Sequence, residues 1–115
     1  MDAGVAQVYR IGVIPAWSAT VREIMAICVH LVPVSMSAGQ YEQAVKMVAE
    51  TAGDAPAGRL YHVCFGTGDK LQIIDVWRSQ AEWDSFSEIV MKVSQEIGIE
   101  VASIDVEPVH NIITP

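Results

Sequence analysis

Proton chemistry near neutral pH needs an imidazole or a group tuned to behave like one, and the chain contains three histidines: His30, His62 and His110. His62 stands out by its distance from Asp75. The two lie on either side of Gly66-Thr67-Gly68-Asp69, a tetrad with the composition of a hairpin turn. If Gly68 and Asp69 form a two-residue turn, with Gly suited to the first position of type II′, then Thr67 faces Lys70 and His62 faces Asp75. If Thr67 and Gly68 form the turn, His62 faces Ile73 and Asp75 is its diagonal neighbour. Both registers place Leu60, His62, Cys64, Ile73, Asp75 and Trp77 on one face, because side chains alternate with period two.

A carboxylate beside an imidazole fixes its tautomer and raises its basicity, which suits a general base. His62 and Asp75 are therefore the candidate catalytic pair. Trp77 offers a flat wall for a planar substrate, and His30, in the middle of an apolar strand, is a second candidate substrate contact. A buried His–Asp pair that only satisfies its own hydrogen bonds has the same sequence signature, and a lone core histidine has that of His30. His30, His62 and Asp75 have the donor types of a two-His, one-carboxylate metal site, but no diagnostic spacing accompanies them, so no metal is assigned. Cys28 and Cys64 read as small core residues on strands that do not touch. Gly66-Thr67-Gly68 lacks the following helix that phosphate binding uses, and no Ser-centred nucleophile elbow is present.

The elements that must hold these residues follow from periodicity. Residues 26–32 are β-rich and end at Pro33. Ser37 and Gln40 have the spacing of a capping box, followed by the helical stripe Tyr41, Ala44, Val45, Val48 and Ala52. Residues 53–58 have loop composition, 60–65 and 71–77 form the hairpin strands, and Ser79 with Glu82 opens a second helix. That helix carries Trp83, Phe86, Val93 and Ile97 and stops at Gly98. A last strand spans about residues 100–107, before Pro108. The order βαββαβ is the ferredoxin-like split unit, an α+β fold with an antiparallel sheet and two helices on one face.

The length of 115 residues fits one domain, here 25–115, preceded by an arm at 1–24 to which no function is assigned. Asp2, Glu23, Arg10 and Arg22 balance within the arm, so the net charge of -7 belongs to the domain. An acidic chain without a basic cluster excludes nucleic acid and anionic membrane as partners. No apolar run reaches the roughly 20 residues of a membrane span. Two cysteines and the absence of a signal-like start favour the cytoplasm. Apolar residues of both parities, as at Ile73-Ile74 and Val76-Trp77, make both sheet faces dry. The expected remedy is a homodimer packed sheet against sheet, with the aliphatic tail 109–115 docked on the partner.

At Ile73-Ile74-Asp75-Val76-Trp77-Arg78-Ser79-Gln80-Ala81-Glu82-Trp83 the chain resembles the antibiotic-biosynthesis monooxygenase-like family of dimeric α+β barrels. Its members show an acidic residue two before a Trp, then a Ser or Thr capping an amphipathic helix. The resemblance implies a dimeric barrel and a pocket between sheet and helices, with Trp77 as the pocket tryptophan. It also implies chemistry on a small organic substrate. The haem-degrading branch carries a helix histidine about ten residues after that tryptophan; here the stretch reads Phe86-Ser87-Glu88, so no haem is expected. The expected function is a cofactor-independent monooxygenase-like enzyme in which His62, held by Asp75, deprotonates a phenolic or enolisable substrate. Isomerase and cyclase reactions begin with the same proton transfer. The alternative is a non-catalytic dimer that binds a small ligand or serves a structural role.

Overall fold

A computed structural model describes residues 25–115, and the arm assigned to residues 1–24 lies outside the described residues. Strand β1 (Ile27–Pro33) leads to helix α1 (Ala38–Ala52), the hairpin β2 (Arg59–Phe65) and β3 (Gln72–Trp77), helix α2 (Gln80–Ile97) and strand β4 (Val101–Pro108). The four antiparallel strands take the order β2-β3-β1-β4. This is the ferredoxin-like arrangement expected from the element order. Pro33 is the last residue of β1 rather than the residue beyond it, and a register shift accompanies it where β1 pairs with β4.

Caps set the helix starts. The Ser37 side chain accepts the Gln40 backbone N–H while the Gln40 amide returns to the Ser37 N–H, a complete capping box. At α2 only half of the expected box forms. Ser79 accepts from the Glu82 N–H, but the Glu82 carboxylate turns instead to the Ser79 hydroxyl and to Arg78. Gly98 ends α2 in the left-handed conformation, at φ 89°.

The core lies between the sheet and α2. Ile27, Val29, Trp77 and Val106 from the sheet meet Trp83 and Phe86 from the helix. Trp77 is completely buried, with its ring centroid 4.9 Å from that of Phe86 and 6.0 Å from that of Trp83. Helix α1 is different: none of its residues is fully buried. Val48 and Ala52 pack against the core only partly buried, and a cavity lies between the rest of the stripe and the sheet.

The opposite sheet face is uneven. Tyr61, Val63 and Phe65 on β2 are exposed, and Ile74 and Val76 on β3 are half-buried. On β4, Ser103, Asp105 and Glu107 give the same face a polar edge. The dry second face expected from the sequence is therefore confined to β1, β3 and β2. Among the described residues no helix is long and apolar enough to cross a membrane.

Candidate functional site

The hairpin closes as the first of the two sequence registers. The Lys70 N–H donates to the Thr67 carbonyl at 3.0 Å, and Gly68 takes φ 61° at the first central position while Asp69 does not enter positive φ. That is the φ pattern of a type II′ turn. His62 then lies directly opposite Asp75. The hairpin tip is tied to the rest of the sheet where the Met36 N–H donates to the Asp69 carbonyl and the Leu71 N–H to the Met36 carbonyl.

From this pairing grows a chain of four side chains. His62 Nδ1 donates to Asp75 Oδ1 at 2.6 Å, and the Trp77 indole N–H donates to Asp75 Oδ2 at 3.2 Å. Asp75 is 4 % exposed, and as a carboxylate it accepts only. Both its oxygens therefore receive protons from neighbours, which assigns the His62 proton to Nδ1 and leaves Nε2 with its lone pair in the neutral ring. Tyr41 fills that position, its hydroxyl 2.6 Å from Nε2 and its ring parallel to the imidazole within 7°. In the neutral state Tyr41 donates to His62, His62 to Asp75, and Trp77 to Asp75. Every polar atom of the chain has a partner.

Tyr41 reaches His62 because the capping box fixes the first turn of α1; its own N–H makes the first helical bond, to the Ser37 carbonyl, at 2.9 Å. Burial pushes the Tyr41 phenol above its ordinary range, with the charges of Cys64 and Asp75 adding to the rise and that of Arg59 opposing it. Tyr41 is thus a neutral hydroxyl at neutral pH, able to pass a proton on but not to rest as a phenolate.

Tyr41, His62 and Asp75 line a cavity of about 260 Å³ between α1, α2 and the sheet. Its walls are mostly apolar, with Val29 and Leu31 from β1, Val45 and Val48 from α1, and Trp83 and Phe86 from α2. A cavity of roughly 150 Å³ holds a benzene, so this one admits a substituted ring or two small fused rings.

Two sequence-based assignments change here. His30 does not join the cavity. Val29, not His30, pairs with Asp75, so His30 projects from the other face, where its Nε2–H donates to Gln72 Oε1 at 2.8 Å and its ring stacks on Phe65. Because His30 and His62 stand on opposite faces, they and Asp75 cannot converge on one ion; among the described residues no group of three metal-ligating side chains forms. Trp77 does not wall the cavity either. It is packed inside the aromatic core and acts on the site through its hydrogen bond to Asp75, while Trp83 and Phe86 supply the aromatic surface. Cys28 and Cys64 are free thiols on opposite faces, both pushed up by burial.

Strand alternation also fails at the start of β2. Arg59 pairs with Trp77 and Tyr61 with Val76, so Leu60 is an extra residue, a β-bulge. Regular alternation would put Leu60 on the cavity face and Arg59 on the other. The bulge leaves Leu60 47 % exposed and brings Arg59 to the cavity wall. The chain matches no protein-family model and no curated protein.

Proposed function

We propose that this protein is a small-molecule enzyme of the dimeric α+β barrel type that begins its reaction by removing a proton from a phenolic or enolisable substrate. The observation carrying this reading is the hydrogen-bond chain from Tyr41 through His62 to Asp75, which opens at Tyr41 onto an apolar cavity of ligand size. The substrate hydroxyl donates to the free lone pair of Tyr41 Oη, and the Tyr41 proton crosses to His62 Nε2. The resulting imidazolium is held by the Asp75 carboxylate, and the substrate anion remains in a dry site where its charge is little screened. In the monooxygenase form of the reading, the anion adds dioxygen at carbon and the peroxide takes back the proton. Loss of water then leaves a new carbonyl, so that a CH₂ group and O₂ become C=O and H₂O without a cofactor.

The short resemblance around Asp75 and Trp77 supports a monooxygenase-like relationship. The exposed Tyr61, Val63 and Phe65 and the exposed tail residues Ile112 and Ile113 support a homodimer through that sheet face and the tail. Two free thiols and the lack of a long apolar helix among the described residues suit a cytoplasmic setting.

The test is a panel of small hydroquinones and 1,3-diketones incubated with the protein in air, following oxygen uptake and solvent deuterium incorporation. Turnover or exchange should fall about a hundredfold or more in His62→Ala and in Tyr41→Phe, the usual contribution of a positioned base. Equal rates for the wild type and both variants across the panel would leave a binding module without catalysis.

A further inference from the structure

We propose that Arg59 anchors a carboxylate on the substrate, so that the cavity takes small aromatic or conjugated acids which also carry the acidic hydroxyl. The inference deepens the function proposed above and rests on the same cavity. Three observations converge on it. First, the β-bulge at Leu60 is what turns Arg59 toward the cavity, and bulges beside active sites commonly re-aim one side chain in this way. Second, the guanidinium is seated, its central carbon 5.7 Å from the centroid of the Phe86 ring, which itself lines the cavity. Third, the fork is unspent among the described residues. Among them the ion pairs are His62–Asp75 and Arg78–Glu82, and Arg59 makes no side-chain hydrogen bond.

The neighbouring carboxylates are otherwise engaged or out of reach. Glu82 lies over Gly58, immediately before Arg59 in the chain, but it is held by Arg78 and Ser79. Asp75 is occupied by His62 and Trp77. Asp54 lines the cavity from an exposed position and is not within salt-bridge distance of Arg59. An arginine beside an apolar wall, its donors without a partner among the described residues, suits a bidentate, charge-assisted contact. Arg59 is the sole cation on the cavity wall among the described residues, which matches a singly charged carboxylate better than a doubly charged phosphate. The cavity volume limits the rest of the molecule to about one substituted ring or two small fused ones. With the carboxylate on Arg59 and the ring along Phe86, the acidic hydroxyl is left for Tyr41, whose phenol feels the Arg59 charge.

Calorimetric titration of the full chain at neutral pH with 3-hydroxybenzoate, and with 3-hydroxybenzamide as its neutral counterpart, tests this directly. The acid should bind about tenfold or more tightly than the amide, as charge-assisted hydrogen bonds imply. Arg59→Gln should erase that preference by weakening the acid far more than the amide, and Arg59→Lys should restore part of it. Equal affinity of acid and amide for the wild type overturns the proposal without recourse to any variant. So does a preference that survives in Arg59→Gln, or binding of neither compound. The two readings fail separately. Loss of turnover in Tyr41→Phe together with equal acid and amide binding keeps the proton relay and removes Arg59. An acid preference that depends on Arg59, with turnover indifferent to Tyr41 and His62, keeps the anchor and removes the catalysis.

Discussion

Replacing Asp75 with asparagine reverses the direction of the hydrogen-bond chain rather than simply breaking it. The carboxylate accepts from His62 Nδ1–H and from the Trp77 indole N–H. Asparagine has one accepting and one donating end. The indole can only donate, so the amide oxygen must face Trp77 and the NH₂ group must face His62. His62 then moves its proton from Nδ1 to Nε2, donates to Tyr41, and forces the Tyr41 hydroxyl to donate into the cavity instead of accepting from it. Both bonds to residue 75 lose their charge assistance, and the His62 bond is inverted together with the Tyr41–His62 bond, at a cost of about 1–3 kcal/mol. A domain of this size should show that as a fall in Tm of roughly 4–8 °C for each kcal/mol. The effect on proton abstraction is larger, about a hundredfold or more, because the relay now points the wrong way. Long-range proton–nitrogen NMR spectra of imidazole-labelled protein read the tautomer directly, with His30 and His110 as internal references. Asp75→Asn protein that is folded, keeps the proton of His62 on Nδ1 and retains full turnover would refute the reasoning.

Three further outcomes follow from the same geometry. Gly58 has φ 90°, and a Cβ there would fall within 2.7 Å of both Glu82 carboxylate oxygens, so Gly58→Ala should cost about 1–3 kcal/mol in urea denaturation; an unchanged midpoint would show that Glu82 moves aside freely. Tyr41 has its phenol pKa raised by burial in the folded state, so its stabilising contribution is complete below the ordinary value of about 10 and drains away as pH rises through the folded value. The decline in stability at alkaline pH should therefore be shallower in Tyr41→Phe, and a tyrosinate absorbance titration should lose its latest-ionising component; identical curves would contradict the placement of Tyr41. Val63 is 52 % exposed on the apolar sheet face, and Val63→Asp should convert a sedimenting dimer to monomer while leaving the circular dichroism spectrum unchanged, whereas a wild-type monomer at micromolar concentration would dispose of the dimer.

The hairpin was legible because its information is local. Gly68 belongs to both candidate turns, and period two puts His62 and Asp75 on one face in either register; the Lys70–Thr67 bond decides that they stand directly opposite. Both helix starts were legible for the same reason, through Ser37 and Ser79. Illegible positions are those whose deciding contact is distant. Nothing within 26–32 says which parity of β1 faces the helices, since Cys28 and Val32 are as apolar as Val29 and Leu31; the pairing of Val29 with Asp75 settles it and sends His30 away. Trp77 was placed on the correct face, but its burial depends on Trp83 and Phe86 arriving from α2. In the helical stripe Tyr41 reads solely as an apolar residue. Its hydroxyl, alone of its kind in that stripe, was the signal that a polar partner waits on the sheet. Arg59 was hidden by a bulge, which alternation by definition does not foresee.

Helix α1, which buries none of its residues completely, supplies Tyr41 to a chain whose other members sit in the sheet. The order of the site is therefore a property of the least anchored helix, not of the core formed by β1, β3, β4 and α2. Local opening of α1 separates Tyr41 from His62 at a free energy below that of global unfolding. Amide protons of α1 should exchange with solvent ahead of those of β1 and β3, and a molecule that spans the cavity from Val45 and Val48 to Val29 and Leu31 should slow that exchange. The same gap that makes room for a ligand thus sets how long the site stays assembled without one.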